Sequence, residues 1–143
     1  MNERAAGFAL LEVVVAAALL ALMFAMVLPP VMRAPGQAQF QLDLAQAIGA
    51  LRLARAAAKF GQKDVVVAFD AGRHALVSSA GRATAIHART LVELRAASAA
   101  TAPDVITFFA SGRSSGGTVL LRRNRLANSL SVNWVNGDVV RLQ

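Results

Sequence analysis

The chain has 143 residues, 56% of them hydrophobic and 16% charged, with a formal net charge of +7. The length predicts one domain, and the high hydrophobic fraction excludes intrinsic disorder. The sequence has no cysteine, which excludes disulfides, thiolate metal ligands and a cysteine nucleophile. A chain that is both apolar and basic is atypical of a plain cytosolic enzyme and points to a membrane or a polyanion as partner.

Most of the apolar excess lies near the N-terminus, in residues 8–28, which read FALLEVVVAAALLALMFAMVL and contain one charge, Glu12. A helix of this length extends about 31 Å, close to the thickness of the hydrocarbon core of a bilayer. A buried helix of a soluble domain is rarely so long and so uniformly apolar. A secretory signal peptide, with Gly36-Gln37-Ala38 as its cleavage site, has a shorter apolar region and no carboxylate inside it. The segment is therefore predicted to span a membrane.

Glu12 is the one ionisable residue in this run, and a carboxylate inside a bilayer is unfavourable unless it is solvated or paired. One interpretation places Glu12 near the interface, where water solvates it. The other starts from Gly7 and Phe8, at the junction between a short polar leader and the apolar run. A cut between them would create an α-amine on Phe8. Since residues four apart share a helix face, Glu12 could offset that amine on its own chain or on a neighbour.

This arrangement resembles the class III signal of type IV pilins and type II secretion pseudopilins: a short leader, then Gly7-Phe8, then Leu10-Leu11-Glu12 opening the apolar run. The resemblance implies that the prepilin peptidase cuts between Gly7 and Phe8 and N-methylates Phe8. It also implies that Glu12 sets the register of the subunit in a growing filament. The sequence departs from the family in having Ala9 where threonine is usual, and in a leader that is only weakly basic.

Prolines separate the apolar run from a second, amphipathic helix. Pro29 and Pro30 interrupt the first helix because neither nitrogen can donate a hydrogen bond, and Pro29 stands where the pilin-like family often has a helix-bending proline. Pro35-Gly36 is a second interruption. Polar residues of the following segment, Asp43 among them, are predicted to lie mostly off its apolar stripe. The stripe predicts a helix packed on a sheet and ending at Gly61 as its C-cap, and its members are Phe40, Leu44, Ala47, Ile48, Leu51 and Ala54.

After residue 63 the pattern changes to short β-type runs separated by turn residues. Residues 79–88 have no clear pattern, and Asn136-Gly137 is a strong hairpin signal. A helix followed by many short strands indicates an α+β fold with the helix packed on antiparallel sheet. The predicted strands are residues 65–69, 74–78, 90–95, 105–109, 118–122, 130–134 and 139–142.

The C-terminal part carries a second resemblance. Residues 106–121 (ITFFASGRSSGGTVLL) and 133–140 (NWVNGDVV) resemble the strand, glycine turn and closing strand pair of the GspH/FimT family, with Ala110-Ser111 in place of the usual Pro-Asp. The resemblance implies a pilin-like α+β fold, in which a long N-terminal helix packs on a C-terminal antiparallel β-sandwich. The expected division is a prepilin leader (1–7), a transmembrane helix (8–28), its amphipathic continuation (29–61) and a periplasmic β-domain (62–143).

No catalytic or metal site is predicted, and no cofactor is expected. The two histidines, His74 and His87, have neither metal-ligand spacing nor a carboxylate cluster around them. Asp70, His74 and Ser78 form a triad only on paper, since all three lie around one predicted hairpin and no nucleophile elbow is present. The Ser-Ser-Gly-Gly segment, residues 114–117, is predicted to be a hairpin turn and not a phosphate-binding loop, because no lysine and no helix follow it.

Arginine accounts for thirteen of the fifteen basic residues. Arg122, Arg123 and Arg125 are close in sequence, and Arg113 and Arg141 are expected nearby in the sheet. Arginine pairs well with phosphate oxygens, so this cluster is a candidate DNA contact. The alternative is a solvated, charged edge that discourages strand-to-strand aggregation.

Two functions follow from these patterns. The leading hypothesis is a GspH-like minor pseudopilin of the type II secretion system, a structural subunit of the periplasmic pseudopilus on the inner membrane of a Gram-negative bacterium. Its partners would be the other minor pseudopilins, the major pseudopilin, the prepilin peptidase and the inner-membrane assembly platform. The alternative is a FimT-like minor type IV pilin that binds DNA during natural transformation, through Arg113, Arg122, Arg123 and Arg125.

Overall fold

The computed structural model describes residues 12–24, 35–97 and 104–142. Residues 12–24 form a helix, α1, in a first unit, Met1–Pro35, and the second unit is Gly36–Gln143. The predicted membrane segment, residues 8–28, lies partly outside the described ranges. Among the helices that are described, none combines the length and the apolar content needed to cross a membrane.

The second helix, α2 (Pro35–Gly61), begins at a proline, which loses no hydrogen bond in the first turn of a helix. Its end differs from the prediction. Gly61 is the last helical residue, and the left-handed position is taken by Gln62, with φ of 49°. The Lys63 N–H donates to the Ala58 carbonyl at 3.3 Å, and the Gln62 side chain donates to the Lys59 carbonyl at 2.8 Å. These bonds satisfy carbonyls that the helix end leaves free.

In the described ranges, eight strands follow α2 and form two four-stranded antiparallel sheets. They are β1 (Val65–Asp70), β2 (Ala75–Ser78), β3 (Ala83–Ala85), β4 (Leu91–Ala96), β5 (Val105–Phe108), β6 (Gly117–Arg123), β7 (Leu126–Val132) and β8 (Val139–Leu142). The first sheet has the order β3-β2-β1-β5 and the second has the order β4-β6-β7-β8. Seven strands confirm the predicted runs, with ends shifted by up to four residues, and β3 has no counterpart among them.

One apolar core joins α2 to both sheets. The predicted stripe of α2 is buried, apart from the half-buried Ile48, and Ala58 extends it by one turn. This confirms the α+β arrangement of a helix packed on antiparallel sheets. The largest fully buried apolar side chains from the strands are Val67, Leu76, Ile106, Phe108, Val119, Leu121 and Leu130.

The prediction of a hairpin turn at residues 114–117 is confirmed only in part: the chain reverses just before this segment, and Ser114 makes an antiparallel bridge to Phe108 of β5. The strand before this segment, β5, pairs with β1 in the first sheet, whereas β6 pairs with β4 and β7 in the second. The Ser115 N–H still donates to the Thr107 carbonyl of β5 at 2.8 Å, and after this residue the chain crosses to the second sheet. Ser114 is buried there, its Oγ donates to the Asn133 carbonyl at 2.9 Å, and its N–H donates to the Trp134 carbonyl at 3.0 Å. These bonds fasten the crossover to the end of β7.

Candidate assembly and charged surfaces

Apart from Glu12, the side chains of α1 are apolar on every face of the helix and exposed to solvent. The large ones are exposed by between 50% and 67%. A helix that is hydrophobic all round is stable only when other apolar groups or a bilayer cover it. The side chains concerned are Val13, Val14, Val15, Leu19, Leu20, Leu22, Met23 and Phe24.

Glu12 is the first described residue of α1, and its side chain is exposed. The other residues of the predicted signal, Gly7 and Phe8, lie outside the described residues, and so do Pro29 and Pro30. Cleavage, methylation, filament register and helix bending therefore remain predictions from the sequence.

Asp43 is not on the exposed side of α2 as predicted but is completely buried. Its Oδ2 accepts a hydrogen bond from the Thr90 hydroxyl. Its Oδ1 accepts bonds from the Gln39 side chain at 3.1 Å and from the His87 N–H at 3.3 Å. Asp43 therefore fastens the loop between β3 and β4 to the helix.

Arg123 is the charged partner of Asp43. The side chain of Arg123 is only 8% exposed, and its Nη1 lies 3.6 Å from Asp43 Oδ2. This Nη1 is buried and has no hydrogen-bond partner among the described residues. Burial of both charges makes each dependent on the other, because an unpaired charge in the interior is strongly unfavourable.

The four arginines predicted to contact DNA do not form one surface. Arg122 is exposed at the end of β6, opposite Leu91 of β4, and Arg125 is exposed in the two-residue turn to β7. Arg113 precedes β6 at its other end, so the length of the strand separates it from these two by about 20 Å. Arg123 is buried against Asp43. Only Arg122 and Arg125 are neighbours on the surface.

Arg113 instead belongs to a corner that sequence reasoning missed. Its guanidinium lies 5.4 Å from the centre of the Trp134 ring, a cation–π distance. Trp134 is 57% exposed. Arg55 of α2 forms an ion pair at 2.7 Å with Asp138, in the loop that follows Trp134. A Cβ on Gly137 would lie 2.9 Å from the Gly112 carbonyl oxygen, so glycine permits the two loops to meet.

An open apolar groove of about 560 Å³ runs between α2 and the first sheet. Leu53 and Phe60 of α2 form part of one wall, and Leu76 and Thr84 of the sheet line the other. Phe60 is 90% exposed. The groove therefore presents uncovered apolar surface on the helix side of the domain.

Asp70, His74 and Ser78, the residues of the nominal triad, each have a hydrogen-bond contact elsewhere in the fold. The Asp70 carboxylate accepts bonds from the N–H groups of Gly72 and Arg73 in its turn, and the Ser78 hydroxyl accepts one from the Ala80 N–H. The Nε2 atom of His74 is 3.1 Å from the Thr90 carbonyl oxygen. In the described ranges, no three His, Asp or Glu side chains are grouped as metal ligands.

The similarity of this chain to known proteins was found by comparing structures. No protein-family model and no curated protein matches the sequence. The minor pseudopilin EpsH from the type 2 secretion system of Vibrio cholerae matches with a TM-score of 0.56 at 13% identity, over 73% of this chain and 96% of that one. The type IV minor pilin FimU of Pseudomonas aeruginosa matches in two crystal forms, both with a TM-score of 0.52. One form is 16% identical over 80% of this chain and 93% of FimU, and the other is 17% identical over 72% and 92%.

The chain has a minor-pilin fold. The likeness covers nearly all of each solved structure, and it confirms the pilin-like fold of the GspH/FimT type inferred from residues 106–121 and 133–140. The folded domain leaves two candidate contact surfaces, the groove beside Phe60 and the corner at Trp134.

Proposed function

We propose that this chain is a minor pseudopilin of a type II secretion system, a structural subunit of the periplasmic pseudopilus that helps to export folded proteins across the outer membrane. The observation that carries the proposal is a helix that is apolar on every face, preceding a domain with a minor-pilin fold. Residues 8–28 would anchor the subunit in the inner membrane, with the C-terminal domain in the periplasm.

The exposed apolar surface of α1 is the physical reason for this role. Covering one large apolar side chain contributes about 1.5–3 kcal/mol, and α1 exposes eight of them. Lipid tails cover such a helix in the membrane, and the apolar helices of neighbouring subunits cover it in a filament. The subunit can therefore leave the bilayer for the filament without exposing this surface to water.

Cleavage would prepare the helix for assembly. Removal of residues 1–7 creates an α-amine on Phe8, which N-methylation leaves basic and positively charged. That amine lies four residues before Glu12, close enough on a helix for the two charges to offset each other. In a filament, the amine of one subunit can pair with the Glu12 of the next, which fixes their register because each buried charge requires a partner.

The folded domain offers two surfaces to other pilin subunits. The groove between α2 and the first sheet is apolar, with Leu53 and Phe60 uncovered. The corner at Arg113 and Trp134 combines an exposed aromatic ring with a stacked guanidinium, and both residue types are enriched in protein interfaces. Contacts with neighbouring pseudopilins are the proposed use of both surfaces.

A minor subunit of a type IV pilus is the second candidate, because FimU is similar to this chain at nearly the same TM-score as EpsH. This second candidate does not include DNA binding through the four arginines. The structure buries Arg123 and separates Arg113 from Arg122 and Arg125.

Deletion and complementation in the host test the proposal. Loss of the gene is expected to stop export of a folded protein, and the wild-type chain is expected to restore it. Glu12→Ala is expected to be cleaved normally but to enter filaments at least about tenfold less, the equivalent of losing one charge pair in an apolar environment. Val13→Ala is the matched control, since it shortens a neighbouring exposed side chain without changing charge.

The outcomes separate the candidates. Normal export by the Glu12→Ala subunit would remove the role assigned to this carboxylate. If deletion leaves export intact and abolishes surface pili, the chain belongs to a type IV pilus and the secretion proposal is wrong.

A further inference from the structure

Three exposed arginines lie at the end of the second sheet where β6 turns into β7. Arg122 lies opposite Leu91 in the β4–β6 pair, and Arg89 precedes Leu91 by two residues. Arg125 is in the turn that joins β6 to β7. Arg141 of β8 is not one of them, because it pairs with Leu130, four residues from the start of β7, on the sheet face opposite to that of Arg122. We call these three residues, Arg89, Arg122 and Arg125, the arginine end.

Acidic residues do not neutralise this surface. Asp43, the acid buried beside it, is paired with Arg123. Glu93 is paired with Arg95 further along β4, at 2.7 Å. Asp70 belongs to the first sheet, where its carboxylate holds the turn after β1. Among the residues that the structure describes, the arginine end is therefore a local concentration of positive charge.

An uncovered leucine lies within this charged surface. Leu91 is 68% exposed and is the cross-strand neighbour of Arg122. Arginine beside an exposed apolar side chain is the combination that binds the interface of a bilayer, where phosphates and acyl chains meet. Duplex DNA offers phosphates to the arginines but little for this leucine to bury against. The composition of the surface therefore favours lipid over nucleic acid.

The start of α2 lies at the same end of the domain. Asp43 of α2 lies 3.6 Å from Arg123, the last residue of β6. Only six residues, 29–34, separate the apolar run from α2. A chain of that length spans at most about 25 Å. If residues 8–28 cross the membrane, as the proposed function requires, the arginine end belongs to the part of the domain that the chain holds near the bilayer.

We propose that the arginine end binds the anionic phospholipid head groups of the membrane in which the subunit is anchored. Guanidinium groups pair with phosphate oxygens through two parallel hydrogen bonds, and Leu91 enters the boundary between head groups and acyl chains. This contact orients the domain of an unassembled subunit, and it is released when the subunit enters the filament. The membrane as the source of these phosphates rests on the proposed function.

Vesicle binding by the Gly36–Gln143 domain tests the proposal. The domain contains all of the buried apolar core that the structure describes, so it is expected to fold alone, which circular dichroism checks for each variant. It is expected to sediment with vesicles of phosphatidylcholine and phosphatidylglycerol in equal amounts, but not with phosphatidylcholine alone, and to be released by salt. Arg122→Gln with Arg125→Gln is expected to weaken binding about 30-fold.

Control variants make this result specific. Arg52→Gln with Arg82→Gln removes the same charge from exposed residues outside the arginine end, and it is expected to bind anionic vesicles as the wild type does. Leu91→Ser is expected to weaken binding to vesicles while leaving any binding to a short DNA duplex unchanged.

Three results would overturn the proposal: equal binding to neutral and anionic vesicles, equal weakening by the two arginine pairs, or tighter binding to the duplex than to anionic vesicles at the same salt concentration. None of these results affects the Glu12 complementation assay, so that assay tests the proposed function independently.

Discussion

Asp43→Ala is expected to lower the free energy of unfolding of the Gly36–Gln143 domain by about 3–5 kcal/mol. The substitution leaves the Arg123 guanidinium buried without a counter-charge, since its side chain is only 8% exposed. It also removes the acceptor for the Thr90 hydroxyl and the His87 N–H, and buried donors without acceptors are destabilising in themselves. Urea denaturation followed by circular dichroism measures the change.

A double variant separates the loss of the pair from the loss of packing. Asp43→Leu combined with Arg123→Met removes both charges and keeps apolar volume, so it is expected to be more stable than either single variant. Glu93→Ala is the control, because its pair with Arg95 is exposed and contributes about 1 kcal/mol at most. A loss on Asp43→Ala no larger than that on Glu93→Ala would contradict the buried ion pair.

Gly117→Ala is expected to destabilise the domain by a comparable amount, about 3–5 kcal/mol. Gly117 opens β6 with φ of 149°, a conformation that side chains disfavour, and a Cβ there would lie 2.6 Å from the Arg95 carbonyl oxygen. The contact is with the backbone of the paired strand β4, so relief requires the two strands to move apart. Thermal and urea unfolding of the variant test this expectation.

Gly49→Ala provides a control of opposite sign. Gly49 lies inside α2, and a Cβ at this position would have no atom within 4 Å. Alanine there is expected to stabilise the domain by about 0.5–1 kcal/mol, because glycine loses more backbone freedom in a helix. A Gly117→Ala domain at least as stable as the wild type would contradict the steric account of Gly117.

Local periodicity was sufficient to predict the elements that pack by a regular pattern. The spacing of Phe40, Leu44 and Leu51 predicted the buried face of α2, and these side chains are 3% exposed or less. Alternating and β-branched runs predicted seven of the strands. β3, with the sequence Ala-Thr-Ala, gave no signal because its side chains are small and none is buried.

The buried Asp43–Arg123 pair was not predicted, because charged residues mostly lie on the surface of a protein. Asp43 is three residues after Phe40 and four before Ala47, so its spacing puts it on the buried stripe. Arg123 follows Val119 and Leu121 at intervals of two, which puts it on the inward face of β6. Period alone would have placed both charges inside, and two opposite buried charges indicate a pair.

Sheet membership could not be read from local sequence. Glycine and serine between two strands suit a hairpin and a crossover equally, because both need tight, left-handed backbone. Whether β6 pairs with β5 or with β4 is decided by contacts between residues far apart in the chain. The same limit applies to the arginines, whose sequence proximity hid the inward direction of Arg123 and the length of strand that separates Arg113 from Arg125.

The mass of the mature protein tests the pilin-type assignment most directly. Full-length chain produced together with a prepilin peptidase is expected to lose residues 1–7 and to begin with N-methylated Phe8, while Gly7→Leu is expected to keep its leader. An N-terminus that retains residues 1–7, or one created after Gly36-Gln37-Ala38 as in a secretory signal peptide, would contradict the account.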